Sequence, residues 1–240
     1  MSGKKDSLNQ RILFISDMHV PFQHKDTFDF LKALAQKYMP TRVVCLGDEI
    51  DNHAISFHSS DPDLPSAGDE LSAAIQHLKR LYKLFPKMDV IDSNHGSLAA
   101  RRFLEHGLPK KLLRSYGDIL EAPSGWVWSH DLTLKLPNGK PLYVHHGLSK
   151  DPMKVVAARA TCFIQGHYHE DLKIGFHGNP EDLLWGATAG CLIDPKSLAF
   201  AYNKTNLKRP IIGTIMVIDS IPRIMPMNLR KNGRWDRVTP

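Results

Sequence analysis

Five times along this chain a short apolar run stops in a cluster of Asp, Asn and His. Residues 12–15 run into Asp17-Met18-His19, and residues 43–46 into Gly47-Asp48-Glu49-Ile50-Asp51. Val90-Ile91 leads to Ser93-Asn94-His95-Gly96, residues 142–144 to His145-His146-Gly147, and residues 162–165 to Gly166-His167-Tyr168-His169. Short apolar runs with polar boundaries read as buried strands. Polar residues at the carboxyl ends of strands line the ligand crevice of an open α/β sheet. The pattern therefore asks for a fold that brings several strand ends to one place.

The intervals between the runs supply the rest of the architecture. Residues 27–39 place Phe28, Leu31, Leu34 and Ala35 at helical spacing, and Pro40 stops the helix. Strand, helix and strand at this interval imply a βαβ unit with parallel strands. A longer amphipathic helix is expected over residues 66–85, with Leu71, Ala74, Ile75, Leu78, Leu81 and Tyr82 on one stripe, and another helix from about Ser97. Asn138-Gly139 between alternating runs is a strong hairpin signal. Beyond Leu183 short strands dominate, notably over residues 211–218. Residues 1–10 read as a flexible polar start and 11–240 as one domain of two facing mixed sheets with helices outside. Residues 53–66 and 105–130 read as loops that set specificity. Trp126, Trp128 and Trp185 read first as core side chains, with stacking on bases as the competing reading.

Apolar residues make up 42% and charged residues 23%, enough apolar surface to exclude a disordered chain. No apolar run approaches the length needed to cross a bilayer, and MSGKKDSLNQ lacks the apolar stretch of a signal peptide. The three cysteines, Cys45, Cys162 and Cys191, are an odd number in apolar surroundings. They read as buried free thiols, so the expectation is a soluble cytoplasmic protein without membrane association.

The five clusters offer nitrogen and oxygen donors and no thiolate, a set suited to Mn, Fe, Zn or Mg. Singly, each has a structural reading: Asp48 as a turn residue, His145 or His146 as a core histidine with a satisfied hydrogen bond. In this order, each after an apolar run, they make a joint signal.

That ordered set resembles the calcineurin-like metallophosphoesterase family, whose motifs run Asp-x-His, Gly-Asp-x-x-Asp, Gly-Asn-His-Asp/Glu, His-Gly and Gly-His-x-His. The resemblance covers residues 11–170 directly, and the stretches GDEIDNHAISFH, SNHG and NLKRPIIG are similar to short phage-encoded members. It implies a four-layer αββα sandwich and two divalent metal ions, foremost Mn2+, with Fe, Zn, Ni or Mg as alternatives. One ion would take Asp17, His19, Asp48 and His169. The other would take Asp48, Asn94, His146 and His167, with Asp48 bridging. His146 is preferred to His145 because the family's ligand adjoins the glycine. Two such ions lower the pKa of a bridging water and clamp phosphate oxygens. The implied reaction is in-line attack by that hydroxide, with His95 as general acid protonating the departing oxygen. Asp51 would hydrogen-bond His95 and keep it oriented and cationic; a loop or capping carboxylate is the other reading. Two positions depart from the family: Ser93 replaces a glycine and Gly96 an acidic residue. Asn52-His53 stands where phosphoprotein phosphatases carry Arg-Gly, so Arg101 or Arg102, together with Asn94, are the candidates to contact substrate.

The net charge of +6 is uneven: from residue 195 onward nine Lys/Arg face two acids, while residues 1–194 carry −1. Such a segment can attract a polyanion or simply be solvated. With the Gly-His-x-His ending, it favours a phosphodiesterase acting on DNA, RNA or a nucleotide. A phosphomonoesterase or protein phosphatase, and a non-catalytic metal-binding scaffold, are the alternatives.

Overall fold

The computed structural model describes residues 9–57, 63–178, 180–197 and 209–240. The expected flexible start therefore lies almost wholly outside the described residues, as do Lys204 and Lys208 of the basic segment. Among the described residues there are two sheets. The first runs in the order β11-β10-β1-β2-β3-β4. Its strands are β1 (Arg11–Ile15), β2 (Arg42–Cys45), β3 (Met88–Ile91), β4 (Trp126–Ser129), β10 (Gly213–Ile218) and β11 (Ile221–Pro226). The second runs β5-β6-β7-β9-β8, with β5 (Leu132–Lys135), β6 (Pro141–His145), β7 (Cys162–Gln165), β8 (Leu172–Gly178) and β9 (Leu183–Ala189). Strands β1 to β4 are mutually parallel, as are β6, β7 and β9, while β10, β11, β5 and β8 pair antiparallel. Both sheets are mixed.

Alternation along the strands divides the core in two. Ile12 and Phe14 of β1, Val44 of β2 and Ile215 and Val217 of β10 cluster with Leu142, Val144 and Ile164 of the second sheet. Leu13, Ile15, Val43, Cys45 and Met216, the alternate set, pack against two helices. These are α1 (Thr27–Tyr38) and α2 (Ala67–Leu84), which present Phe28, Leu31 and Leu34, and Ala74, Leu78 and Leu81. On the far side, the helix Pro152–Arg159 covers β7 and β9 and buries Val155 and Val156 against the outer face of the second sheet. The order is helix, sheet, sheet, helix, as the sequence leads one to expect.

Helix boundaries follow local chemistry. The Ser66 hydroxyl accepts the Asp69 amide at 3.3 Å and caps α2. Met39, in the left-handed region, ends α1 just before Pro40. The strand at residues 211–218 begins only at Gly213, because Ile211 is engaged with the carbonyl of His169.

Two expectations need correction. Residues 126–129, read as part of a specificity loop, form β4, parallel to β3. Trp126 and Trp185 are buried, their indole N–H groups donating to the carbonyls of Phe85 (2.9 Å) and Ser220 (3.0 Å). They offer no face to a base. The basic C-terminal end is also largely engaged. Arg234 forks onto Asp26, Arg237 lies 3.6 Å from Asp29, and Arg230 donates to the Asp236 carbonyl. Arg234 and Arg237, free positive charges in a count along the sequence, are stapled to the start of α1.

Candidate metal centre

Asp17 follows β1, Asp48 follows β2, Asn94 follows β3, His146 follows β6, and His167 and His169 follow β7. All six stand at the carboxyl ends of parallel strands. Four of the residues in these loops, Asp17, His19, Asp48 and His167, adopt positive φ between 47° and 69°. Such conformations are costly for residues other than glycine, and they cluster where a site dictates the backbone.

Two glycines make the close approach possible. Gly47 has φ +101°, and a Cβ there would lie 2.6 Å from the Ser93 Cβ and 2.8 Å from His146 Nδ1. A Cβ on Gly166 would lie 2.6 Å from Asp17 Oδ2. Only a bare backbone lets the Gly-His-x-His turn lie against Asp17.

Asp17, His19, Asp48 and His169 bring one donor atom each within 4.8 Å of one another. His169 Nε2 is 3.1 Å from Asp17 Oδ1 and 3.2 Å from His19 Nε2. Two ring nitrogens facing each other beside a carboxylate need a shared proton or a cation between them. Asp48, His146 and His167 form a second group. Its His146 Nε2 stands 3.3 Å from Asp48 Oδ2 and 2.7 Å from Asn94 Oδ1. His146 Nδ1 donates to the Leu46 carbonyl at 2.8 Å, which fixes the ring and turns Nε2 inward. Asp48 belongs to both groups. His145 points elsewhere, its ring edge-on to His130 at 5.3 Å.

Electrostatics agree with the geometry. Burial opposes charge on all these groups, yet the hydrogen bonds from His169 and His19 hold Asp17 well below the usual carboxylate range. Asp48 is likewise held low, against burial, by His146. Burial is overcome at His19 by hydrogen bonds to Asp17 and Asp51, which push its pKa up to about 10. At His146, Asp48 does the same, up to about 9. The carboxylates hold protons on imidazoles where a hard cation would otherwise balance them. The donor set suits divalent ions bound by nitrogen and oxygen.

The acid candidates sit differently from the expectation. The Asp51 carboxylate accepts from His19 Nδ1 at 2.6 Å and is 3.5 Å from His95 Nδ1. His95 Nδ1 instead donates to the Asp51 backbone carbonyl. Asp51 thus meets His95 mainly through its main chain, and its side chain orients His19. Nor is His95 held cationic: burial, then the neighbouring His19, lower its pKa. Its ring lies edge-on to His19 with centroids 4.5 Å apart, and its backbone N–H donates to Asp48 Oδ1 at 3.1 Å.

The two family departures are accommodated locally. The Ser93 hydroxyl accepts the N–H groups of Asp48 (2.9 Å) and Gly96 (3.1 Å), tying the two loops together. A Cβ at Gly96 would lie 3.3 Å from the Tyr116 hydroxyl, so this loop is closed over a tyrosine where the family has an acid. Arg101 donates to the Asn94 carbonyl at 2.7 Å and stands at the rim. Arg102 is consumed elsewhere, donating to the carbonyls of Ile55 and Ser56. Glu70 escaped sequence reading: from α2, its carboxylate accepts the N–H groups of His53 (2.8 Å) and Ala54 (2.9 Å), fixing the turn after Asp51. An acid within an amphipathic helix carries no signal of that role.

No family model matches the chain, and no curated protein matches it in sequence. Solved structures do. The phosphoesterase YfcE from E. coli superposes with a TM-score of 0.50 at 14% identity, covering 95% of this chain and 97% of that one. Vacuolar protein sorting 29 from Cryptosporidium parvum gives 0.50 at 12% identity, covering 97% of each. The chain thus has the metallophosphoesterase fold, with an Asp/His cluster able to hold metal ions. Neither neighbour bears on the resemblance to phage-encoded members. Among the described residues no helix is long and apolar enough to cross a membrane.

Proposed function

We propose that this chain is a two-metal-dependent phosphoesterase acting on phosphodiester bonds of nucleic acid or nucleotides. The observation that carries the reading is the buried Asp48 carboxylate shared by two separate donor groups. In this reading Asp17, His19, Asp48 and His169 hold one divalent ion, and Asp48, Asn94, His146 and His167 the other. Mn2+ is the first choice. Such a pair lowers the pKa of water and neutralises phosphate oxygens. The protein's own residues do the rest. Asp51 keeps the His19 ring turned so that Nε2 faces inward. His95, anchored through Nδ1–H, would take up a second proton at Nε2 and give that proton to the departing oxygen, the imidazolium being the acting form. Arg101 at the rim is placed to meet a phosphate oxygen. Residues 11–240 work as one domain, and the three buried free cysteines suit a reducing cytoplasm.

A non-catalytic scaffold would need the metal donors but not an anchored imidazole beside them, so the position of His95 supports turnover. The test is a panel of Mn2+, Zn2+, Ni2+, Fe2+ and Mg2+ against bis-p-nitrophenyl phosphate, p-nitrophenyl phosphate, nucleotides and DNA. Metal-dependent diester turnover is expected. Monoester turnover alone would replace the substrate class, and metal binding with no turnover of any ester would leave the scaffold.

A further inference from the structure

The strongest unassigned surface is the rim that begins beside Asn94. After α3 (Leu98–Glu105) comes a single 3-10 turn (Lys110–Leu112), and α3 packs against both this turn and the one at His53–Ile55. Residues 98–114 carry five Lys/Arg and one acid, Glu105, which is paired with Arg102. Arg101, Lys110, Lys111 and Arg114 are exposed, and none makes an ion pair among the described residues. Arg234 and Arg237 near the C-terminus, by contrast, are spent on Asp26 and Asp29. Beside this rim Phe57 stands 46% exposed, with Arg101 and Arg102 guanidinium carbons 5.1 and 4.0 Å from its ring centroid. Arg102 also fastens the carbonyls of Ile55 and Ser56, so the aromatic is held on a braced turn.

We infer that this rim, Phe57 with Arg101, Lys110, Lys111 and Arg114, binds a single-stranded polynucleotide and leads it to the metal centre. The inference rests on the phosphodiesterase reading and names its substrate class. Three features select the occupant. Cations that meet no carboxylate among the described residues call for a polyanion. The eight residues of α3 rise about 12 Å, room for roughly three or four phosphates at the 3.4 Å spacing of one strand. An exposed aromatic beside guanidinium planes offers stacking, which needs unpaired bases. Continuity with the centre is direct, since Arg101 reaches the Asn94 carbonyl.

The probe is a 5′-fluorescein oligothymidylate read by anisotropy in EDTA across a salt series, so that binding is scored without hydrolysis. In K110A/K111A/R114A, the slope of log K against log salt should fall by about 2, at about 0.7 per cation lost. Affinity at 0.15 M salt should drop on the order of tens of fold. Lys111→Glu alone should act in the same direction with a smaller step. Phe57→Ala should weaken binding about fivefold or more at unchanged slope, and Phe57→Trp should restore it. K231A/R237A should keep the wild-type slope. An unchanged slope in the triple variant, or an equal loss in the tail variant, overturns the proposal. So does equal affinity for duplex with a silent Phe57→Ala. Binding of phosphatidylserine vesicles in place of the oligonucleotide, through the exposed Leu104, Leu108 and Leu112, overturns it as well. Small-ester turnover with metal is scored separately, so a failed rim leaves the enzyme reading intact, and the reverse.

Discussion

Two sets of carboxylates are treated in opposite ways. Asp26 and Asp29, at the start of α1, are met by guanidinium groups from the far end of the chain. Among the described residues, Asp17, Asp48 and Asp51, at the strand ends, form ion pairs only with His19, His53, His95, His146 and His169. Every other ion pair of the described residues uses Lys or Arg. An arginine neutralises a carboxylate permanently, whereas an imidazole can give up its proton to an incoming cation. The fold closes its structural carboxylates with fixed charge and leaves the strand-end ones with exchangeable charge.

The contrast breaks most visibly at Asp48. Asp48→Asn should abolish turnover and lower metal content after gel filtration from about two ions per chain, because it alone serves both donor groups. Retention of both ions with full turnover would falsify the shared role. Next comes His95→Asn, expected to keep the metals while turnover drops 10²–10⁴-fold. The loss should be smaller for p-nitrophenol than for an alkoxide leaving group; an equal loss would assign His95 to positioning phosphate. Asp51→Asn should cost less, about 10–100-fold in metal affinity or activity, the usual effect of loosening a ligand's support. If metal titrations showed no change in Asp51→Asn, the His19 contact would be incidental.

How much of this was legible beforehand depended on whether the signal is local. The strand-end clusters were visible because a strand end and the ligand it carries are neighbours in sequence. The choice of His146 over His145 came from the family resemblance, whose ligand adjoins the glycine, and the two rings do point apart. The partner of Asp51 was not legible. Whether its carboxylate turns to His19 or His95 is decided by two loops packing edge to edge, a separation of 32 or 44 residues. β4 was hidden for a related reason. WVWS is four residues long and follows a turn-rich stretch, so only pairing with β3 makes it a strand. The basic tail misled because charge counting ignores distance: Asp26 and Arg234 are 208 positions apart.

That ion pair gives the smallest and cleanest test of the contrast. Arg234 Nε donates to Asp26 Oδ2 at 2.8 Å, its second nitrogen bonds Oδ1, and the Trp235 amide adds a bond at 2.9 Å. The Arg234 hydrogen bond, against burial, holds the Asp26 carboxyl well below its ordinary value. A depressed folded-state pKa means stability that is full above the unfolded value, about 3.9 for Asp, and is lost as pH falls through the folded one. Arg234→Ala should therefore melt about 2–4 °C lower at neutral pH. The gap to wild type should stay constant from pH 8 to pH 5 and narrow only below about pH 4. Metal content and small-ester turnover should not move, since Arg234 touches only the α1 side of the fold. A gap that closes between pH 6 and 8 would mean that the tail is held by histidine chemistry, and the division between fixed and exchangeable charge would fail at the place where it is drawn most sharply.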